Sequence, residues 1–294
     1  MPLRRFSDLF PVLSLLFVAT IWGLLWLPLR GLDSAGMNGL WSTLVGYSAA
    51  LLLALPMLWQ LRRELQDNFP ALVGIALASG WCNMGFILAV LDGNVVRVVL
   101  LFYLSPLWAV LLGHFILGER MTPYAKWVMT VAMCGALMML WTPELGYPWP
   151  QDSADWLALS AGFAFALSNV LVRKNQHVSV ANKAIAAWWG AILLAVGLLA
   201  LGDPAVPRVG LEIYSGAVLL GLFGLALATI AVQYGVTHMP VHRSAVIMLF
   251  ELVVATTSSQ LFTDEVVRPI EWFGGALILT AAWLMARRQV EVGE

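Results

Sequence analysis

Glu251 is the only acidic residue well inside any long apolar run of this chain, and a carboxylate in that setting has three uses. It can receive an ammonium group, it can take up and release a proton, or it can hydrogen-bond to a neighbouring helix. Asn83, Ser168, Asn169, Thr229 and Gln233 also lie in the interior of apolar runs, and Gln233 is one helical turn beyond Thr229 on the same face. At membrane depth each such group costs a few kcal/mol unless it is paired or faces a wet cavity. Trp22 and Tyr103 bring aromatic surface, which stacks on a planar group or holds a cation over the ring face. Bridging between helices is the plainer use of each side chain, but as a set they fit the wall of a cavity. No H-E-x-x-H, G-x-S-x-G or phosphate-binding glycine loop is present, and every Asp lies at or beyond the end of a run. The residues do not make a catalytic centre, and no metal or cofactor motif accompanies them.

Ten apolar runs, each about 18–24 residues long, must position these groups: about 10–30, 38–60, 70–91, 95–117, 123–141, 155–174, 184–202, 212–236, 241–262 and 270–287. A bilayer core about 30 Å thick needs roughly 20 helical residues per crossing, so ten crossings are expected. Hydrophobic residues make up 61% of the 294 and charged ones 11%, which excludes a soluble domain. The net charge of −1 leaves no basic surface for nucleic acid. Cys82 and Cys134 both fall inside apolar runs, as small buried hydrophobes rather than a disulfide. The first run is too long for the core of a signal peptide and has no small-x-small cleavage site, so it is read as a retained helix.

Asp92-Gly93-Asn94 and His238-Met239-Pro240 carry turn chemistry and read as tight hairpins between runs three and four and between eight and nine. Twelve of the 16 basic residues fall on one set of loops and ends: Arg4, Arg5, Arg62, Arg63, Arg120, Lys126, Arg173, Lys174, Lys183, Arg243, Arg287 and Arg288. Lys and Arg favour the cytoplasmic side, so both termini are expected there, in a cell or inner membrane. Trp59, Trp141, Trp149, Trp156 and Trp272 sit at run ends, where an amphipathic ring belongs at headgroup level. Trp22, Trp26, Trp81, Tyr103 and Trp108 lie deeper.

Sliding the chain by 146 residues lays its second half on its first without a gap. Arg97 then meets Arg243, Glu119 meets Glu265 and Pro123 meets Pro269. Each half, 1–146 and 147–294, holds five helices, an odd number, so the second must enter the membrane from the other side. Such an inverted repeat is the architecture of secondary transporters, in which two opposed copies exchange conformations around a central site. A duplicated scaffold with no solute path is the alternative.

The stretch FYLSPLWAVLLGHFILGERMTP, from Phe102 to Pro123, and its counterpart LFELVVATTSSQLFTDEVVRP resemble the repeated signature of the drug/metabolite transporter superfamily, EamA-like branch. The first copy matches through Pro106, Gly113, Gly118 and Glu119. The second departs, with Leu252, Ser259 and Asp264 at the first three of those positions. Trp22-Gly23 is also similar to members of the family. The resemblance implies an all-α fold of ten transmembrane helices around a central cavity, and its nearest pattern is that of aromatic amino-acid exporters. It thus implies an amino acid as partner, moved outward by alternating access, besides the lipid bilayer. A proton-coupled exporter of cationic drugs is the rival, although the carboxylate such small pumps carry in helix one is missing here.

On this reading helices one, three, four, six, eight and nine surround the site, and two, five, seven and ten brace it. Trp22 and Ser168, related by the repeat, should stand on opposite walls. Pro106 is expected to bend helix four as a hinge, whereas helix nine has no matching proline, which argues against mirrored inward and outward states. Ala76 with Gly80, and Gly224 with Ala228, are small pairs that let backbones approach. Arg97 and Arg243 are expected to anchor the starts of helices four and nine.

Overall fold

Hydropathy decides the architecture of the computed structural model, which describes residues 2–143, 149–202, 205–263 and 267–292, with side chains left out at 2–8, 57–61, 91, 96 and 288–292. Among the described residues, ten helical stretches are long and apolar enough to cross a membrane: Leu9–Ser34, Gly39–Pro56, Phe69–Val90, Arg97–Leu117, Pro123–Leu140, Ser153–Lys174, Val180–Gly202, Leu211–His238, Val241–Phe262 and Pro269–Arg287. They are called spans one to ten below. Each agrees with a run read from the sequence. Ten crossings bring both chain ends to one side, termed here the terminal face. Asp264, Glu265 and the side chains of Arg4, Arg5, Trp59 and Arg288 lie outside the described residues.

The packing exchanges partners between the halves. Span six lies against spans three and four of the first half, and span one lies against spans eight and nine of the second. Spans five and ten pack together, as do two and seven, so the pairs related by the 146-residue shift also meet one another. This is the contact pattern of an inverted repeat.

Lipid offers no hydrophobic drive between helices, so close packing has to come from small residues. A side chain at Gly190 of span seven would land on the backbone carbonyl of Ala76 in span three, and Gly221 of span eight faces Gly46 of span two in the same manner. Ala76 and Gly80 therefore do serve a close approach. Gly224 does not: it faces the side chains of Leu220 and Leu25, while the neighbouring Gly221 makes the backbone contact. Gly190→Val should sharply lower the yield of folded protein and its thermal midpoint in detergent. Gly197→Val, in the same span but with nothing within 4 Å of the added atom, should leave both unchanged.

Three spans are not continuous. Span four is helical over Val95–Phe102 and again over Ser105–Leu117, and span nine over Val241–Met248 and again over Phe250–Phe262. The two breaks, at Tyr103 and Leu249, stand 146 residues apart. Pro106 sits in the first turn of the second half-helix, and the interruption falls in the turn before it, where a proline removes a backbone bond. Span nine breaks at the matching place without any proline, so the two breaks mirror each other despite the sequence difference. Span one breaks near Leu25, and span eight widens to a π-helical turn over Leu220–Ala226.

Candidate functional site

The break in span nine places Glu251 in the first turn of the half-helix Phe250–Phe262. Leu249 keeps right-handed helical dihedrals and Leu252 N–H donates to its carbonyl at 3.1 Å, so the break is a tightened turn that re-aims the half-helix carrying Glu251. Tyr103, at the break of span four, stands within electrostatic reach of this carboxylate. The two discontinuities, one from each repeat, therefore meet through Tyr103 and Glu251. Cys82 of span three lies within electrostatic reach of Glu251 and of buried Tyr47 of span two, and Tyr47 in turn lies within reach of Thr229.

One side of this cluster is aromatic. Trp22 meets Phe165 edge-on with ring centres 6.1 Å apart, Phe165 meets Phe102 at 5.7 Å, and Phe102 meets Tyr103 at 5.7 Å and Phe86 at 4.9 Å. Edge-to-face pairs at such distances are favourable in their own right. Trp22, Cys82, Asn83, Tyr103, Asn169 and Glu251 are all half-buried rather than sealed, so each keeps accessible surface at membrane depth. Spans one, two, three, four, six, eight and nine all contribute, span two by Tyr47.

Several expected residues are used elsewhere. Ser168 is buried and its hydroxyl is 2.7 Å from that of Ser79, so it ties span six to span three instead of facing Trp22. Phe165 takes that place. Asn83 donates to the Ser79 carbonyl of its own helix at 2.9 Å, and Thr229 to the Leu225 carbonyl at 2.8 Å. Gln233 is buried one turn from Thr229, and its Oε1 has no hydrogen-bond partner among the described residues. Trp26 donates to Ser258 of span nine at 3.0 Å, joining spans one and nine. Trp81 is exposed and bonds to Ser160, and Trp108 packs on Phe163, so neither reaches the cluster. Trp141, Trp149, Trp156 and Trp272 are exposed, as interfacial rings should be.

The two ends of the bundle are held differently. At the face opposite the termini, Arg97 and Asp155 form a buried ion pair, with Nε to Oδ2 at 2.6 Å. Arg97 also donates to the carbonyl of Trp149, and Asp155 accepts from Gln151 N–H at 2.8 Å. Arg97 thus anchors the start of span four to that of span six.

At the terminal face, Gly118 adopts a left-handed φ of 69° that lets the chain turn off span four and direct Glu119 inward. Glu119 accepts Val241 N–H, the first of span nine, at 3.0 Å, and lies 3.5 Å from Arg173 and 3.7 Å from His242. Arg173 donates to the Thr237 carbonyl at the end of span eight at 2.6 Å. Burial raises the Glu119 carboxyl, but His242, the Val241 N–H and Arg173 together outweigh it and hold the group below its ordinary range. Glu64, beyond the end of span two, accepts Ser179 N–H at 2.7 Å and also the Ser179 hydroxyl and the Asn182 amide. Those bonds, helped by Lys183, likewise win over burial and lower its carboxyl. Lys183 itself, read from sequence as a flanking charge, is fully buried in the first turns of span seven and donates to the Thr237 hydroxyl at 2.9 Å.

A solved crystal structure of another protein superposes on 95% of the chain and 97% of its own length, with a TM-score of 0.76 at 19% identity, a likeness of fold. The uncharacterized transporter PA0485 of Pseudomonas aeruginosa is 27% identical over 168 residues; the match takes in 56% of this chain and about half (53%) of that protein. A probable terminal-alkyne amino-acid exporter of Streptantibioticus cattleyicolor is 28% identical over 271 residues, 88% of this chain and 86% of its own length. The EamA-like transporter family model matches twice, at residues 9–141 and 152–287, each time over five spans. With ten spans, exchanged packing between its halves and both halves matched, the chain is a multi-pass membrane protein that belongs to the EamA-like transporter family.

Proposed function

We propose that the protein exports amino acids with aromatic or apolar side chains, by alternating access, from a cytoplasm that bathes the terminal face. The observation that carries this reading is the half-buried Glu251, set in the first turn of a half-helix, within electrostatic reach of Tyr103 and bordered by the aromatic row from Trp22 to Phe102. A carboxylate receives an α-ammonium group, and a ring stacks against the row. Trp22, Asn83, Tyr103, Ser168, Asn169, Thr229, Gln233 and Glu251 remain the proposed binding set, with Ser168 and Thr229 acting through the helices they brace. The exporter from Streptantibioticus supports amino-acid cargo and outward direction, and the excess of Lys and Arg on the terminal face supports its cytoplasmic placement.

Cys82 offers a direct check, because it lies within electrostatic reach of Glu251, whereas Cys134 is exposed on span five and is removed as Cys134→Ser. Phenylalanine at saturating concentration should slow maleimide labelling of Cys82 several-fold, and Trp22→Ala should weaken that protection without lowering the amount of folded protein. Equal labelling with and without every amino acid tested would remove the reading. A second reading, export of organic cations, draws on Glu251 having no Lys or Arg beside it among the described residues. It predicts protection by quaternary ammonium compounds instead.

A further inference from the structure

The polar ties at the face opposite the termini run within pairs of spans: Arg97 with Asp155 joins four to six, and Trp26 with Ser258 joins one to nine. At the terminal face Glu64 likewise ties span two to span seven, but two other contacts cross between pairs. Glu119 of span four reaches the start of span nine through Val241 and His242, and Arg173 of span six reaches the end of span eight through Thr237. Glu119 and Arg173 then meet each other, so one carboxylate gathers the terminal-face ends of four spans that surround the Glu251 cluster.

The strengths of these contacts differ in the way a moving part requires. The Arg97–Asp155 contact at 2.6 Å joins two buried groups, and parting it would strand a charge. Charge-assisted hydrogen bonds run about 2.7–2.9 Å, whereas Glu119 stands 3.5 Å from Arg173 and 3.7 Å from His242 and makes a single close bond, to Val241 N–H. Glu119 is also partly exposed, at 19%, so water can take over its partners when they leave. The first contact is a permanent brace; the second is closed but separable.

We propose that Glu119 is the latch of a terminal-face gate: while it holds Val241, His242 and Arg173, the central cluster is shut to that face, and its release opens the cluster there. Glu119 is a positioning residue that sets which side the cavity faces and does not touch the cargo. The latch needs no particular substrate, so it stands or falls apart from the amino-acid reading.

The test uses the full chain carrying Cys134→Ser in sealed membrane vesicles of both orientations, with a membrane-impermeant maleimide reporting on Cys82. In the parent, Cys82 should react from the opposite face at least tenfold faster than from the terminal face. Glu119→Gln keeps an acceptor for Val241 N–H but loses the charge, and it should raise terminal-face labelling about tenfold and lower labelling from the other side. Arg173→Gln should move both rates the same way by a smaller factor, and it supplies the reading if Glu119→Gln fails to fold. Arg268→Gln, which breaks an exposed pair with Glu271 at the opposite face, should leave both rates unchanged. Folded variants at Glu119 and Arg173 with the parent's sidedness, or a parent labelled equally from both faces, would overturn the proposal.

Discussion

Glu251→Gln is expected to cut amino-acid flux by ten- to a hundredfold while leaving the amount of folded protein unchanged. Glutamine fills the same volume and keeps a polar group beside Tyr103, so the packing between the two broken spans survives. The charge that receives the ammonium group does not. A hydrogen bond to a charged group contributes about 1.5–3 kcal/mol, and every 1.4 kcal/mol is tenfold. Glu251→Asp keeps the charge but shortens its reach, and an intermediate rate is expected. Flux measured in proteoliposomes loaded to equal protein content checks the series. Full activity of Glu251→Gln would return the carboxylate to a structural role.

The second large effect is on stability. Arg97→Met leaves the Asp155 carboxylate buried with only backbone and neighbouring donors, and losing one partner of a buried pair costs about 3–5 kcal/mol. The thermal midpoint in detergent should fall steeply. Arg97→Met combined with Asp155→Leu removes both charges and should recover most of the loss, because the penalty lies in the stranded charge rather than in the missing attraction. If the double variant were as unstable as the single one, the geometry of the pair, and not its charge, would be holding spans four and six.

The ten spans were legible because hydropathy is read residue by residue and the bilayer sets one length for all. The inverted repeat was legible for a related reason: Arg, Glu and Pro are scarce in such a chain, and their coincidence at a fixed shift is hard to obtain otherwise. The break at Leu249 was not, since it carries no glycine or proline signal. The one in span four was partly legible, because Pro106 announced a bend there without fixing its residue.

Within the site, Glu251, Trp22 and Tyr103 stood out by type and depth. Phe102, Phe165, Tyr47 and Cys82 did not, since an aromatic ring or a thiol in an apolar run looks the same whether it meets lipid or a cavity. Asn83, Ser168 and Thr229 could not be sorted either, because only coordinates tell whether such a group bonds to its own helix, to a neighbour or to a solute. Lys183 read as a loop charge because it lies one turn inside the helix start, close enough to the face to pass for a flank.

Flux across liposomes holding the purified protein tests the central claim most directly, with radiolabelled amino acids offered singly, with and without a pH gradient. Saturable flux of a subset that includes Phe, Trp or Met is expected, absent from empty liposomes and reduced at least tenfold by Glu251→Gln. Liposomes that carry folded protein and pass no amino acid under either condition would contradict it.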